Sequence, residues 1–327
     1  MAAGRKLAGM KSPLLELPGA VAAEGPDEGV AAHYGDLFRE QRELAAGRGF
    51  VDLSHRGVIT VTGPDRLSWL HLLLTQHVSE LPPRQATEAL VLSPHGHVEH
   101  ALYLVDDGAT TWIHVEPGTA PALVAYLESM KFWNRAEVAD ATADHAVVFL
   151  PAGSTAAADR AAAVRELPWG RDLFLPRAEL AEAVAEFGPA AGVWAYEALR
   201  IEGHRPRLGF ETDHRTIPHE VDWLGSAVHL NKGCYRGQET VARVHNLGRP
   251  PRRLVFLHLD GTEEKLPAHG AEVRVDGQER PVGFVTSAAR HHELGPVALA
   301  LVKRNTPVDA VLLADGVPGS QDVIVPA

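Results

Sequence analysis

The sequence predicts an α+β protein in which mixed αβ parts precede a small C-terminal antiparallel β-barrel. Its 327 residues are enough for two or three domains, each with a core of its own. Helical and strand patterns alternate between residues 36 and 201. From Arg252 onward the chain breaks into short apolar runs separated by glycines, which is typical of a barrel built from short strands.

The N-terminal half begins with an alanine-, glycine- and proline-rich stretch, residues 1–32, for which we expect a flexible lead-in. Residues 36–46 have helical spacing and end at two glycines. Short strands are expected at 51–53 and 58–61, and Gly63-Pro64-Asp65 opens another helix. The next predicted elements are three strands and a helix, at residues 86–92, 97–105, 110–115 and 117–130.

A second αβ segment is predicted to hold a strand at 146–150 and an alanine-rich helix at 154–165, followed by helices at 176–187 and 189–201. Residues 202–231 are polar and lack periodicity, and loops of that length usually have a function. The barrel strands are expected at 254–259, 271–275, 281–287, 296–302, 310–313 and 322–325. We therefore divide the chain into a lead-in 1–32, an αβ core 33–250 with two subdomains that meet near residue 140, and a barrel domain 251–327.

Composition limits the classes of partner. The net charge of −11 gives no support to nucleic acid or an anionic membrane as a partner. One cysteine excludes an internal disulfide, and the N-terminus lacks the continuous apolar region of a signal peptide. No stretch approaches the roughly 18 apolar residues of a membrane span. We expect a soluble cytoplasmic protein.

The most informative feature is residues 231–239, which read Asn-Lys-Gly-Cys-Tyr-Arg-Gly-Gln-Glu and contain the single cysteine. The cations Lys232 and Arg236 would favour the thiolate form of Cys234, which is the nucleophile and the metal ligand. A free cysteine is more often a small buried apolar residue. Because the flanking charges resist burial, we interpret Cys234 as functional.

Two further features lie beside the cysteine. Cations cluster in a basic segment, residues 231–253, where the one acid is Glu239, so a small anionic ligand is favoured over an ordinary solvated strand edge. Gln238 and Glu239 offer an amide and a carboxylate that suit the edge of a heterocycle, although a helix start explains them equally well. The cations of the basic segment are Lys232, Arg236, Arg243, Arg249, Arg252 and Arg253.

Other common sites lack support. Residues 95–100 hold three histidines without the His-Glu-x-x-His spacing of metalloproteases, and the chain has no Cys-x-x-Cys. No resident metal is therefore expected. Nucleotide-binding glycine motifs and the Gly-x-Ser-x-Gly motif of esterases are also absent from the sequence.

The run Lys-Gly-Cys-Tyr-Arg-Gly-Gln-Glu at 232–239 resembles the signature of the YgfZ-type folate-binding proteins, and its continuation Thr-Val-Ala-Arg at 240–243 also fits. Residues 51–65, 199–203 and 283–287 are similar to motifs of the wider superfamily that includes the T-protein of the glycine cleavage system, a tetrahydrofolate-dependent aminomethyltransferase. The resemblance spans about residues 36–305.

This resemblance implies a T-protein-like multi-domain ring, in which two αβ parts and the barrel surround a central funnel that holds folate. It implies tetrahydrofolate, or a one-carbon derivative, as cofactor. The implied function is to assist assembly or repair of iron–sulfur clusters, with client enzymes or assembly factors as partners. Family members are often monomers, so a monomer is expected.

The resemblance also assigns roles to residues. Cys234 would be the reactive group that contacts a cluster, a client or a one-carbon fragment. Glu202 would bind the donor edge of the pterin, and Arg243 would meet the glutamate tail of folate together with Arg249, Arg252 and Arg253. The remaining cofactor-binding residues would come from the signature: Lys232, Tyr235, Gln238 and Glu239.

Two other hypotheses stay open. The T-protein carries an Asp-Asp pair where this chain has Glu99 and His100, which disfavours its usual aminomethyl transfer. The chain could still be a tetrahydrofolate-dependent aminomethyl- or methyltransferase with Glu99 as general acid or base. A docking module that binds no folate is the third hypothesis, and it leaves the basic segment unexplained.

Overall fold

The structure is a computed structural model that describes residues 11–262 and 265–326, without the side chain of Leu247. Within these ranges the α-helices are α1 Leu37–Ala45, α2 Arg66–Leu73, α3 Ala120–Ser129, α4 Leu180–Val184, α5 Val193–Glu202 and α6 Gln238–Leu247. The strands of the αβ part are β1 Val21–Ala22, β2 Ala31–His33, β3 Phe50–Asp52, β4 Gly57–Thr62, β5 Ala86–Leu92, β6 Val98–Asp106, β7 Thr110–Val115, β8 Glu137–Asp140, β9 His145–Pro151, β10 Ala163–Leu167, β11 Gly170–Pro176 and β12 Ala190–Ala191. The remaining strands are β13 Arg252–Leu259, β14 Glu272–Val275, β15 Pro281–His291, β16 Gly295–Lys303, β17 Leu312–Ala314 and β18 Val317–Val323.

The first αβ part is an antiparallel sheet with strand order β5-β6-β7-β4-β8. Helices α2 and α3 cover one face, because their apolar side chains, such as Leu70 and Leu123, pack in the same core as Ile59 of β4. The Trp69 indole N–H donates to the Met130 carbonyl at 3.0 Å, which links α2 to the end of α3.

The second αβ part is a sheet with strand order β10-β11-β9-β3-β12, in which only β12 and β3 pair in parallel. Residues of α1 and α5 pack on one face, with Leu44 and Val193 in a core that includes Phe149. On the other face, Leu180 of α4 packs with the N-terminal Leu14. The sheet is thus buried on both sides.

The C-terminal part is a closed barrel with strand order β13-β16-β15-β14-β17-β18, in which all pairs are antiparallel. Alternate residues of β13 point to different cores: Val255 lies inside the barrel, whereas Phe256 packs with Trp223 of the long loop. This second contact fixes the barrel against the αβ parts. The α+β fold class with a C-terminal six-stranded barrel, predicted from the sequence, is confirmed.

The predicted flexible lead-in is not what residues 11–32 form. Two short 3-10 helices, Pro13–Glu16 and Gly25–Asp27, and the hairpin β1–β2 occupy this stretch. Leu14 and Val30 are buried, so the alanine- and proline-rich composition conceals side chains that anchor the segment. Residues 1–10 lie outside the described residues.

Three helix predictions in the second αβ part were wrong in type or extent. Residues 163–167 are strand β10, because Ala163 pairs with Phe174 and Arg165 with Asp172 of β11, and these pairings outweigh the helix preference of the alanines. The helix expected at 176–187 is a 3-10 turn followed by α4. The helix expected at 189–201 begins only at Val193, after β12.

Candidate functional site

A cavity of about 280 Å³ lies where the two αβ sheets meet, and we call it the inter-sheet cavity. Its wall includes residues of both sheets, of α5 and of the loop that follows α5. Aromatic rings and guanidinium groups dominate the lining: Tyr103, Trp169, Tyr196 and Trp223 supply the rings, and Arg56, Arg165, Arg200, Arg205 and Arg207 supply the cations. Such a wall suits a flat, anionic ligand.

A buried His–Asp pair joins the sheets in the cavity wall. His114 Nε2 lies 3.0 Å from an Asp172 carboxylate oxygen, and Arg165 donates to the same oxygen at 2.9 Å. Tyr103 stacks on the His114 ring with centroids 4.9 Å apart. Burial lowers the pKa of His114 to about 4 and outweighs the attraction of Asp172, so the imidazole is neutral near pH 7.

A second buried ionic network is centred on Arg207, which follows the end of α5. Arg207 pairs with Asp27 at 2.9 Å, with Glu116 at 2.7 Å and with Glu197 at 3.0 Å. Burial opposes ionisation of Glu116, but Arg207 and Arg56 outweigh it and hold the pKa of Glu116 at about 2. The network fixes the loop after α5 to the N-terminal segment and to the first sheet.

Cys234 is exposed and is not among the residues that line the inter-sheet cavity. Its loop is held in place by Gly237, whose left-handed φ of 81° opens α6. A Cβ atom at Gly237 would lie 2.6 Å from the Ser93 carbonyl oxygen, so the loop packs backbone to backbone on the β5–β6 turn. The structure therefore presents the thiol on the surface, away from the cavity.

Lys232, which the sequence placed beside the thiol as a charge partner, is buried against the C-terminal end of α2. Its ammonium donates to the carbonyl groups of His71, Leu74 at 2.5 Å and Gln76 at 3.2 Å. Burial lowers the pKa of Lys232 to about 8. The three carbonyls occupy its donors, so Lys232 anchors the cysteine loop to α2.

Arg236, the other cation of the signature, forms an ion pair with Glu99 at 2.9 Å. Its guanidinium also lies 5.8 Å from the Tyr126 ring centroid. Glu99 therefore neutralises the charge that the sequence suggested for stabilising a thiolate. Neither Glu99 nor His100 lines the inter-sheet cavity.

The remaining predicted cofactor residues are dispersed. Tyr235 is buried beneath the loop, and burial raises its pKa to about 12. Gln238 accepts a hydrogen bond from the Tyr235 backbone N–H at 3.3 Å at the start of α6, while Glu239 and Arg243 are exposed on that helix. Glu202 lines a second cavity of about 300 Å³, which we call the adjacent cavity.

The basic segment does not converge on one ligand site. Arg252 pairs with Asp213 at 2.6 Å and with Glu220 at 2.8 Å, and Arg253 is buried at the base of the barrel, where it donates to the Thr306 carbonyl at 2.9 Å. The Arg252 pairs tie the loop to the barrel, whereas the Arg253 contact lies within the barrel domain, and neither residue lines the inter-sheet cavity.

The residues that line the inter-sheet cavity were not predicted from the sequence. One signal could have found some of them: charged residues inside apolar strands, such as His114 in β7 and Asp172 in β11. A charge at a buried strand position requires a partner, so two such strands are expected to meet.

The fold is similar to that of a known protein family. The family model described as the glycine cleavage T-protein C-terminal barrel domain matches residues 252–315. The crystal structure of the glycine cleavage system aminomethyltransferase T from Bartonella henselae is similar with a TM-score of 0.80 and 21% identity, covering 95% of this chain and 94% of that one. The barrel thus matches the T-protein family in sequence, and the whole chain has the fold of the aminomethyltransferase.

The proteins that are similar in sequence to this chain carry two kinds of name. An "iron-sulfur cluster assembly factor IBA57 homolog, mitochondrial" from Mycosarcoma maydis is 26% identical over 280 residues, covering 75% of this chain and 68% of that protein. An aminomethyltransferase from Geobacillus kaustophilus is 29% identical over 313 residues, covering 84% of each. Within the described residues, no helix has the length and apolar character that a membrane crossing requires.

Proposed function

We propose that this protein binds tetrahydrofolate, or a one-carbon derivative of it, and uses Cys234 in assembling or repairing iron–sulfur clusters of client proteins. The observation that carries the proposal is the inter-sheet cavity, with its aromatic faces and arginines. The IBA57 homolog and the aminomethyltransferases among the relatives support the two halves of the proposal.

The residues present fit the chemistry of folate. Folate combines a flat heterocycle, a benzoyl ring and a glutamate with two carboxylates, so it needs aromatic surfaces and cations at different places. The inter-sheet and adjacent cavities share Trp169, Tyr196, Gly203 and Arg205, and together they offer room for an elongated ligand. When bound, tetrahydrofolate supplies a carrier for a one-carbon unit.

The position of Glu202 suggests how folate would be oriented in the two cavities. This carboxylate lines the adjacent cavity beside the apolar side chains of Phe149 and Leu199. A pterin placed there would meet an acceptor for its N–H edge and an apolar surface for its ring. The glutamate tail would then point toward the arginines of the inter-sheet cavity.

Cys234 would act separately, at the surface. An exposed thiol on a loop anchored by Lys232 and Arg236 is accessible to a cluster held by a partner protein. The iron–sulfur cluster is cargo in this proposal, so no resident metal is assigned to the chain. The cytoplasmic location and the monomeric state expected from the sequence remain predictions.

Aminomethyl transfer is the second candidate function. It is favoured by the similarity to aminomethyltransferases. Glu99, which the sequence suggested for acid–base chemistry, is paired with Arg236 instead. Release of ammonia from an aminomethylated carrier in the presence of tetrahydrofolate would establish this activity.

Calorimetric titration with tetrahydrofolate and its formyl form tests the proposal. We expect saturable binding by the wild type and an unchanged Kd for Cys234→Ala, because the thiol lies outside the cavity. In a strain that lacks the protein, Cys234→Ala should fail to restore iron–sulfur enzyme activity, whereas Asn231→Ala, a change at an exposed position of the same loop, should restore it.

Two results would contradict the proposal. Absence of saturable folate binding by the wild type would favour the docking-module hypothesis. Full restoration of iron–sulfur enzyme activity by Cys234→Ala would remove the thiol from the mechanism.

A further inference from the structure

Arg205 and Trp169 form the wall between the inter-sheet cavity and the adjacent cavity. The Arg205 guanidinium carbon lies 4.6 Å from the Trp169 ring centroid, and both residues line both cavities. The guanidinium therefore covers an aromatic face that would otherwise be open to a ligand.

The position of Arg205 is set by its backbone. His204 adopts a left-handed φ of 54°, which turns the chain sharply after α5. The Arg200 guanidinium donates to the Arg205 carbonyl at 2.5 Å, and the Arg205 N–H donates to the Arg200 carbonyl at 3.1 Å. These two contacts hold the Arg205 backbone at the cavity wall, and neither of them involves its side chain.

Arg205 differs from the other cations of the inter-sheet cavity in its charge balance. Arg165 pairs with Asp172 at 2.9 Å, Arg200 with Glu211 at 3.1 Å, and Arg207 with Glu116 at 2.7 Å. Within residues 11–262 and 265–326, no carboxylate lies within 4.0 Å of the Arg205 guanidinium, and its buried Nε has no hydrogen-bond partner. Burial also lowers the pKa of Arg205.

Glu197 and Asp172 attract the half-buried Arg205 guanidinium only from beyond ion-pair distance. A cation that is partly withdrawn from water without a carboxylate in contact keeps part of its desolvation cost. The free energy of binding an anion at Arg205 therefore includes relief of that cost. The other three arginines already have a carboxylate partner, so binding the same anion would lower their free energy less.

We propose that Arg205 determines ligand specificity by leaving the face of Trp169 and binding a ligand carboxylate. This inference rests on the proposed function, since the carboxylate would be that of the folate glutamate. Movement of the guanidinium also uncovers the Trp169 ring, against which an aromatic part of the ligand stacks, so the two cavities become one.

The test is a cycle in which the charge is removed from the protein and from the ligand. Formyl-tetrahydrofolate and its dimethyl ester are titrated into the wild type and into Arg205→Gln. In the wild type, the acid should bind about 10- to 100-fold more tightly than the ester, the range of a charge-assisted hydrogen bond. In Arg205→Gln, acid and ester should bind with the same Kd. Arg280→Gln, a change at an exposed arginine of the barrel, is the control and should behave as the wild type.

An equal ratio of acid to ester affinity in the wild type and in Arg205→Gln would overturn the inference while folate binding stands. No binding of either ligand to the wild type would instead reject the proposed function. Stability provides a separate check: Arg205→Gln should unfold at the denaturant concentration of the wild type or above it, because no carboxylate loses a partner. A marked loss of stability would identify Arg205 as a structural residue and contradict the inference.

Discussion

At the scale of single residues, the inter-sheet cavity depends on keeping His114 neutral. The ring is buried between Tyr103 and Phe174, near Asp172 on one side and Arg56 and Arg165 on the other. Its pKa of about 4 lies below the value of roughly 6.5 that it would have in the unfolded chain. Between these values the unfolded state binds the extra proton, so folding stability is complete above about pH 6.5 and decreases toward pH 4.

We predict that His114→Gln reduces this pH dependence. The glutamine amide can still donate to Asp172 but takes up no proton, so the slope of the free energy of unfolding against pH should fall by up to about 1.4 kcal/mol per pH unit between pH 4 and 6.5. Burial lowers the pKa of His219 to about 4 as well, so the difference between the slopes is the diagnostic quantity. Denaturant titrations at several pH values measure it. His214→Gln, at an exposed position, should keep the wild-type slope, and equal slopes for all three proteins would refute the prediction.

At the scale of elements, the cysteine loop and α6 depend on one of the two glycines that flank Cys234. Gly237 has a left-handed φ of 81° and touches the β5–β6 turn. A methyl group added at Gly233 would meet no atom within 4 Å, and the φ of Gly233 is not left-handed. Although both glycines lie within three residues of Cys234, only Gly237 is under a steric constraint.

We therefore expect Gly237→Ala to cost about 2 kcal/mol or more of stability, since the methyl group would clash with the Ser93 carbonyl and the left-handed φ disfavours alanine. Gly233→Ala should change stability by less than about 0.5 kcal/mol. Chemical denaturation of both variants measures the difference. Equal stabilities would mean that the loop is not packed on the β5–β6 turn.

Elements were predictable where the local pattern and the tertiary contacts agree. The barrel strands follow from short apolar runs between glycines, and the structure has six strands in this region. The helix expected at 154–165 is wrong because its last residues form the edge strand β10 by pairing with β11, and no local pattern shows this pairing. The alanines of this stretch favour a helix locally, but pairing with β11 decides the structure of its last residues.

At the scale of the whole molecule, the candidate site was only half predictable. The cysteine loop is a contiguous run, so the sequence shows it directly. The inter-sheet cavity takes Arg56, Tyr103, His114, Arg165 and Trp169 from separate segments, and only the packing of two sheets brings them together. The same packing explains why Lys232 and Arg236 do not serve as free cations: α2 and Glu99, remote in sequence, occupy them.

A buried carboxylate, Glu211, links the barrel to α5 and to the loop that follows it. Glu211 accepts hydrogen bonds from Thr286 at 2.9 Å and Ser287 at 2.5 Å on β15, and from Arg200 at 3.1 Å on α5. It also accepts from the Arg207 backbone N–H at 2.8 Å, in the loop that lines the inter-sheet cavity. One side chain thus connects the barrel, the helix and the cavity wall.

We predict that Glu211→Ala costs about 3–5 kcal/mol, because it leaves the buried Arg200 without one of its two carboxylate partners and removes the acceptor of four hydrogen bonds. Glu211→Gln should cost less, since an acceptor remains, and Glu272→Ala, a change at an exposed residue of β14, should cost least. Differential scanning calorimetry ranks the three variants.

Hydrogen exchange should then show lost protection in Glu211→Ala both on β15 and in the loop at 203–212, since each relies on the same carboxylate. Loss confined to the loop would show that the apolar contact between Phe256 and Trp223 suffices to hold the barrel in place.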